Sequence, residues 1–389
     1  MLTLRRSKPT RDTGRPRVAI IAESFLPTVN GVTNSVVRTI EHLRANGHEV
    51  LVIAPGPGGD AYLDVPVVRV RAVSLPKYQD VRVGLPIARI TSILRSWKPD
   101  VVHLAAPTVL GAAGVRAARN LGVPTVAVFQ TDLVGFARRY GLGVAGPALW
   151  AWTRYVHGQA TVTLAPSTAA AWTLRANDVP RVHQWARGVD LQRFSPEHRC
   201  ETLRRRLAPQ GEVIVGFVGR LAKEKQIDRL RGVSWLQGAK LVIVGDGPER
   251  AHLQKVMPRA HFTGMLGGEE LGRHFASFDV FAHTGLDETF CQAVQEALAS
   301  GVPVVAPAAG GPLDLVTHGH NGYLWSPEQP DMLLGAVQHL CESPLQRHAL
   351  AYAARPSVEH RPWSAVLTEL TEWYQFAING GAAVGVLAA

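Results

Sequence analysis

One stretch near the end of the chain joins a loop, a helix and a buried strand, and it decides the fold. It runs from Gly285 to Val316 and reads GLDETFCQAVQEALASGVPVVAPAAGGPLDLV. The loop carries one carboxylate (Glu288), the short helix that follows carries a second (Glu296), and an apolar strand comes next at 302–306. This order is typical of an α/β domain, and the two carboxylates mark a candidate ligand site.

The spacing of the two carboxylates limits what they can do. If both were helical, Glu288 and Glu296 would lie about 12 Å apart along the axis and roughly 80° apart around it. They therefore do not share a proton. One long ligand such as a nucleotide sugar could reach both, with the N–H groups of Thr289, Phe290 and Cys291 available to its sugar and phosphates. An isolated pair is better explained by a helix-start carboxylate and a solvated helix residue.

The first half of the chain alternates between strand and helix patterns. Apolar runs predict strands at 17–22, 49–54, 65–70, 100–104, 125–129 and 160–164. Helical patterns lie between them, near 32–43, 86–97, 108–120, 148–157 and 168–176. Since each strand is separated from the next by a helix, we expect a parallel sheet that binds ligands outside the carboxyl ends of its strands. This rule makes Glu23, His103, Gln130 and Asp132 candidate cleft residues.

The alternation stops in a linker at 187–210 and then begins again. Strands are predicted at 213–218, 240–244, 280–283 and 302–306. The fold class is therefore α/β, with two Rossmann-like parallel-sheet domains facing a cleft. The expected divisions are a disordered basic tail (1–16), an N-terminal domain (17–190), a C-terminal domain (191–360), a helix returning to the first domain (361–378) and a flexible tail (379–389).

Three further segments are suited to a nucleotide ligand. Gly219-Arg220, with Lys225 five residues later, places two cations at the end of a strand, where they can hold a diphosphate or simply form a solvated basic turn. Asn30-Gly31 precedes a helix, a position that favours a phosphate but also suits a plain turn. Met265 follows a helix at a position where such folds present backbone groups to a nucleobase.

Composition and charge indicate the cellular compartment and the kind of surface that the protein would contact. The three cysteines show no metal-like spacing and fit a reducing cytoplasm. There is no apolar run of membrane-spanning length and no secretory signal. Residues 1–190 have a net charge of +12 and residues 191–389 a net charge of −2. This asymmetry indicates either an arginine-rich solvated surface or a face held against anionic lipid.

The ordered set of features resembles the retaining glycosyltransferases of family 4, which have the two-domain GT-B fold. Within that family it is most similar to actinobacterial GDP-mannose-dependent α-mannosyltransferases that act on membrane lipids. The resemblance covers the chain from Arg17 to about Phe376. The segments that carry it, besides the carboxylate pair, are PTVNGVTNSV (27–36), FQTD (129–132), APST (165–168), GVDLQRFSP (188–196) and AGGPLD (309–314).

The resemblance implies a role for each candidate residue. Gly31, Arg220 and Lys225 would hold the donor diphosphate, Glu288 the transferred sugar and Glu296 the ribose, with the backbone near Met265 beside the base. Many family members have a histidine where this chain has Gln130, followed two residues later by Asp132. Glutamine cannot act as a general base. His103 is a possible substitute, although a histidine on an apolar strand is more often a packed core residue.

The expected activity is transfer of mannose from GDP-mannose to a hydroxyl group of a membrane-associated glycolipid, with no protein nucleophile, metal or nucleic-acid partner. The enzyme would be cytoplasmic and peripherally bound to the inner face of the membrane. Three alternatives stay open: a UDP-sugar donor such as UDP-glucose, a sugar-nucleotide epimerase, and a nucleotide-binding regulator that has lost activity.

Overall fold

The chain folds into two compact units. The computed structural model describes residues 15–75, 78–84, 89–139, 141 and 143–381, without the side chains of 72–84, 136 and 139. Unit 1 comprises Met1–Val128, Gln159–Val162 and Glu372–Ala389, and unit 2 comprises Phe129–Gly158 and Thr163–Thr371. Each has a mainly parallel sheet with helices, which confirms the predicted fold class. The predicted tails, 1–16 and 379–389, lie mostly outside the described residues.

Unit 1 is built on a mainly parallel sheet, in which β8, β7, β1, β2, β4 and β3 are neighbours in that order. Val18 of β1 lies opposite Val50 of β2 and Val101 of β7. Every residue of β1 is buried, as expected for a central strand covered on both faces. The strands are β1 (Val18–Ala22), β2 (Val50–Pro55), β3 (Ala61–Tyr62), β4 (Val65–Val70), β5 (Ala72–Leu75), β6 (Tyr78–Gly84), β7 (Val101–Ala105) and β8 (Thr125–Val128), and the helices are α1 (Gly31–Ala45), α2 (Arg89–Trp97) and α3 (Leu110–Asn120).

The expectation that a helix follows every strand is wrong between β2 and β4. These strands are parallel neighbours, but a loop and the two-residue strand β3 connect them, and β3 pairs antiparallel with β4. Arg69 of β4 holds this loop by donating hydrogen bonds to the carbonyl oxygens of Pro55 and Gly59, at 3.0 and 2.8 Å. Strands β5 and β6 form a separate antiparallel hairpin.

Unit 2 is built on a six-stranded parallel sheet with the order β13-β12-β11-β14-β15-β16. Its strands are β11 (Val213–Val218), β12 (Ala239–Val244), β13 (His261–Gly264), β14 (Val280–Ala282), β15 (Val304–Pro307) and β16 (Gly322–Trp325). Strands β9 (Val162–Ala165) and β10 (Val182–Gln184) also pair in parallel. The helices are α4 (Leu133–Arg139), α5 (Gly146–Gly158), α6 (Thr168–Ala176), α7 (Glu201–Leu207), α8 (Arg250–Val256), α9 (Gly268–Ser277), α10 (Gln292–Ala299), α11 (Pro312–Leu315), α12 (Asp331–Glu342) and α13 (Pro344–Ala354).

Both faces of the six-stranded sheet are covered. Successive residues of a strand point to opposite faces, so Val242 and Val244 of β12 join one apolar core and Leu241 and Ile243 join the other. This double burial explains why the strands appear in the sequence as continuous apolar runs. Because all strands are parallel, their carboxyl ends lie along one edge of the sheet.

The last helix, α14 (Trp363–Ile378), belongs to unit 1 from Glu372 onward. In unit 1 its Tyr374 is buried, and the phenolic oxygen lies 2.8 Å from Nδ1 of His103 in β7. No helix in the described ranges has both the length and the apolar character needed to cross a bilayer.

Candidate functional site

The candidate site lies at the carboxyl edge of the unit 2 sheet. Strands β11 and β14 are parallel neighbours, with Gly216 opposite Phe281. Arg220 follows the end of β11, and His283 follows the end of β14. The loop after His283 leads to Glu288 and then to helix α10. Parallel pairing therefore brings residues about 65 positions apart in sequence to one edge.

Glu288 forms an ion pair with Lys225, whose ammonium group donates a hydrogen bond to Oε1. Nε2 of His283 lies 3.3 Å from the same oxygen. Burial opposes ionisation of Glu288, but the Lys225 cation and His283 outweigh it and hold the pKa of this carboxyl well below its ordinary value. Burial also lowers the pKa of Lys225, but Glu288 more than compensates and raises it. Both groups are charged at neutral pH.

The backbone of the carboxylate loop is held by the Gly310-Gly311 turn. Gly311 donates its N–H to the carbonyl oxygen of Glu288 at 2.8 Å. Gly310 has a φ of 61°, and a Cβ placed on Gly311 would lie 2.0 Å from the carbonyl oxygen of Phe290. Only glycine allows this approach. The carboxylate loop and the glycine turn, 23 positions apart in sequence, are therefore in direct backbone contact.

Lys225 and Arg220 differ in their surroundings. Lys225 ends a short 3₁₀ turn, and its carbonyl oxygen accepts a hydrogen bond of 2.6 Å from the Thr284 hydroxyl, which ties it to the loop after β14. Arg220 is exposed. One cation is thus fixed beside the carboxylate, while the other is available at the surface, an arrangement suited to an anionic ligand.

Glu296 lies on α10 in a different electrostatic environment. Burial raises the pKa of Glu296 to about 8, an effect that Arg193 and Arg187 reduce and Asp190 increases. Helix α10 is tied to the segment that carries these charges, since the Gln295 side chain donates to the carbonyl oxygen of Arg187 at 3.0 Å. At neutral pH Glu296 is therefore mainly protonated and can both donate and accept a hydrogen bond.

The three residues before α10 differ in their burial and hydrogen bonding. The Phe290 side chain is 2% exposed and belongs to the core. Cys291 precedes the helix with a φ of 74° and is buried. Burial, and next the charge of Glu288, raise the pKa of the Cys291 thiol well above its usual value. The Thr289 hydroxyl donates to the carbonyl oxygen of Gln130 at 3.3 Å.

Gln130 and Asp132 both lie between β8 and α4 but differ in bonding. Asp132 caps α4, and its Oδ1 accepts from the N–H groups of Val134 and Gly135 at 3.1 and 2.9 Å. Both polar atoms of the Gln130 side chain are buried and have no hydrogen-bond partner within the part of the chain that the structure describes. A buried amide without partners is costly, so Gln130 is the better candidate for a ligand contact.

The remaining predicted positions belong to other elements of the two units. Met265 follows β13 and is 72% exposed. Asn30 and Gly31 are in unit 1 at the start of α1, where Oδ1 of Asn30 accepts from Thr33 N at 2.9 Å as the helix cap. The predicted donor contacts of Asn30 and Gly31 stay predictions.

Glu23 and His103 both make contacts within the fold of unit 1. Glu23 accepts from the N–H groups of Thr108 and Gly111 at 2.7 and 2.8 Å, at the start of α3. His103 is 2% exposed, and burial lowers its pKa to about 4. His103 is thus a packed core histidine, and its use as a substitute catalytic base is not supported.

Sequence reasoning missed two groups, His283 and the Arg187–Arg193 segment beside Glu296. The signal for His283 was present, because it ends a predicted strand and the strand-end rule applies to it as it does to His103. No spacing rule relates Arg187 to Glu296, since they are more than 100 residues apart and meet only through tertiary contacts.

Two family profiles match the chain. Residues 29–193 match Glycosyltransferase Family 4, and residues 200–356 match Glycosyl transferases group 1.

Curated relatives match over nearly the whole chain. A GDP-mannose-dependent alpha-mannosyltransferase of Mycobacterium tuberculosis is 54% identical, covering 94% of this chain and 97% of the relative. A protein of the same name from Corynebacterium glutamicum is 48% identical, covering 92% and 88%. The sulfoquinovosyl transferase SQD2 of Arabidopsis thaliana is 33% identical, covering 93% and 74%.

Solved structures share the fold at low sequence identity. Anabaena Alr3699/HepE, crystallised with UDP and glucose, has a TM-score of 0.74 at 19% identity and covers 93% of this chain and 100% of its own. A sucrose-phosphate synthase from Thermosynechococcus elongatus also has a TM-score of 0.74, at 18% identity, and covers 93% and 98%.

Proposed function

Since the chain belongs to glycosyltransferase family 4, we propose that it transfers mannose from GDP-mannose to a hydroxyl group of a membrane-associated glycolipid, with retention of configuration. The observation that carries this proposal is the partly buried ion pair of Glu288 and Lys225 at the carboxyl edge of the unit 2 sheet. Relatives at 48–54% identity are named for the same donor and sugar, which favours GDP-mannose over a UDP-sugar.

The ion pair suits the two ends of a nucleotide sugar. Glu288 stays ionised, so its carboxylate accepts strong hydrogen bonds from sugar hydroxyls. Lys225 stays protonated and, together with Arg220, holds the diphosphate as negative charge develops on it. Glu296, which is mainly protonated, contacts the ribose hydroxyls as both donor and acceptor.

The reaction then needs no protein base. As the bond between mannose and diphosphate breaks, the departing phosphate oxygen takes the proton of the incoming acceptor hydroxyl on the same face of the sugar. The buried amide of Gln130 supplies a hydrogen bond to a sugar or acceptor hydroxyl and takes up no proton. Catalysis comes from positioning and from charge stabilisation, without a metal ion.

The acceptor half of the proposal is supported by one helix surface. The exposed positions of α5 are all uncharged: Pro147, Ala148, Ala151, Trp152 and Tyr155. Trp152 and Tyr155 are 39% and 46% exposed, and their rings stack with centroids 5.5 Å apart. Tryptophan and tyrosine are enriched where membrane meets water. With the +12 charge of residues 1–190, this surface supports peripheral binding to the cytoplasmic face of an anionic membrane.

The test is product formation from radiolabelled GDP-mannose and a lipid extract of the source cell, with UDP-glucose in a parallel reaction. The expected result is label in the lipid phase from GDP-mannose, sensitive to α-mannosidase, with one GDP released per mannose transferred. If labelled lipid formed only in the reaction with UDP-glucose, the donor would be a UDP-sugar and not GDP-mannose. Conversion of the sugar nucleotide without an acceptor or GDP release would identify an epimerase instead.

A further inference from the structure

Three potential metal ligands, including the carboxylate of Glu288, lie close together in unit 2. One ligand atom each of His283, Glu288 and Cys291 lies within 4.8 Å of the other two. His283 and Cys291 are 2% and 5% exposed, and the Glu288 side chain is 16% exposed. An imidazole, a thiol and a carboxylate thus converge at one buried position.

His283 supplies a second, independent observation. Nδ1 has no hydrogen-bond partner among the described residues, and Nε2 lies 3.3 Å from Oε1 of Glu288, close enough to favour the ionised carboxylate but outside hydrogen-bond geometry. The ring is fixed parallel to Phe217, with an interplanar angle of 4°. A buried imidazole without a hydrogen bond is unfavourable, and a metal ion would bind the nitrogen that points towards Glu288.

The distances suit a small tetrahedral ion. Zinc bonds of about 2.0–2.3 Å to nitrogen, oxygen and sulfur place neighbouring ligand atoms about 3.3–3.8 Å apart. The nitrogen–oxygen distance of 3.3 Å already meets this, and the two distances to sulfur, about 3.5 Å in such a site, must shorten by about 1.3 Å at most. We propose that His283, Glu288 and Cys291 form a binding site for a thiophilic divalent cation such as zinc, with the fourth ligand position open.

Binding of the cation has a defined consequence for Lys225. The cation takes the place of the Lys225 ammonium beside Glu288 and repels it, and the thiol proton of Cys291 is released to solvent. The Lys225 side chain is 25% exposed, so it can turn towards solvent. If Glu288 and Lys225 bind the donor as in the proposed function, on which this step rests, then the cation and GDP-mannose exclude each other and zinc is a donor-competitive inhibitor.

The test uses the full chain and Co²⁺, whose thiolate complexes absorb light. Titration of wild type should give a thiolate-to-cobalt absorption that saturates at one equivalent and is lost on adding excess Zn²⁺ or GDP-mannose. Cys291→Ser should lose this absorption and weaken Co²⁺ binding by about tenfold or more. Cys341→Ser, which removes a thiol elsewhere in unit 2, is the matched control and should behave as wild type. The thermal transition of each variant checks that it is folded.

The outcomes separate the two proposals. Absorption that persists in Cys291→Ser, or no absorption in the folded wild type, overturns the metal site. Absorption that depends on Cys291 but is insensitive to GDP-mannose supports the metal site and overturns the placement of the donor at Glu288. His283→Ala should abolish the absorption whether or not GDP-mannose competes with the cation, because His283 is a proposed metal ligand in both cases.

Discussion

Replacing Glu288 with glutamine keeps the size of the side chain and removes its charge. In the wild type, Oε1 accepts from Lys225, and the ionised carboxylate is the proposed acceptor for sugar hydroxyls. The amide has one acceptor oxygen, and its NH₂ group is a donor that the Lys225 ammonium repels. The substitution therefore weakens both the sugar contact and the ion pair.

A second loss follows from the balance that sets the pKa of Lys225. Burial lowers that pKa, and Glu288 restores it. Without the carboxylate, burial prevails, the pKa of Lys225 falls below its ordinary value, and less of the cation remains to stabilise the diphosphate. We expect kcat/KM to fall about 10²–10³-fold, or about 2.7–4 kcal/mol of transition-state stabilisation, comparable to removing one preorganised charge-stabilising group.

The assay is steady-state transfer from GDP-mannose at several pH values. Glu288→Gln should also lose activity at a lower alkaline pH than wild type, because Lys225 deprotonates earlier. Lys225→Ala combined with Glu288→Gln should cost clearly less than the sum of the two single changes, since they act through one pair. Glu269→Gln, on the exposed surface of α9, is the control with the same chemical change. A value of kcat/KM for Glu288→Gln within a few-fold of wild type would refute the reasoning.

Three further predictions concern Glu296, metal removal and the membrane. Because burial raises the pKa of Glu296 from 4.5 to about 8, the contribution of Glu296 to stability is full below pH 4.5 and is lost as the pH rises to about 8. Glu296→Gln should therefore flatten the fall in Tm between pH 5 and pH 8, and an unchanged slope would contradict this. Excess EDTA should leave mannosyl transfer undiminished; a loss restored by a divalent cation would establish a metal requirement. Wild type should sediment with anionic vesicles at low salt more than with neutral ones, and Trp152→Ala should reduce that binding severalfold while Trp235→Ala does not; equal sedimentation with both kinds of vesicle would remove the electrostatic argument.

Most of the fold could be read from the sequence because strands buried on both faces are continuous apolar runs. The predicted strand at 213–218 matches β11, and that at 65–70 matches β4. The crossover between β2 and β4 could not be read in this way. It is held by Arg69 bonding to backbone carbonyls, and such bonds leave no periodic pattern in the sequence.

The candidate site, like the fold, could be predicted from the sequence only in part. The order of Arg220, Lys225 and the two glutamates indicated a nucleotide-sugar enzyme through its resemblance to glycosyltransferase family 4. The sequence could not tell that Asp132 caps a helix while the buried amide of Gln130 finds no partner among the described residues. That difference depends on which backbone N–H groups lie nearby, which only the folded chain defines.

The stretch from Gly285 to Val316 shows what each level determined. By itself, the sequence determined the loop, the helix, the strand and the presence of two carboxylates, since these follow from apolar periodicity and residue type. Only the tertiary structure decided that one carboxylate is ionised and the other mainly protonated at neutral pH. The physical reason is that burial favours the neutral form of both. Lys225 and His283 overcome that effect at Glu288, whereas the arginines near Glu296 only reduce it.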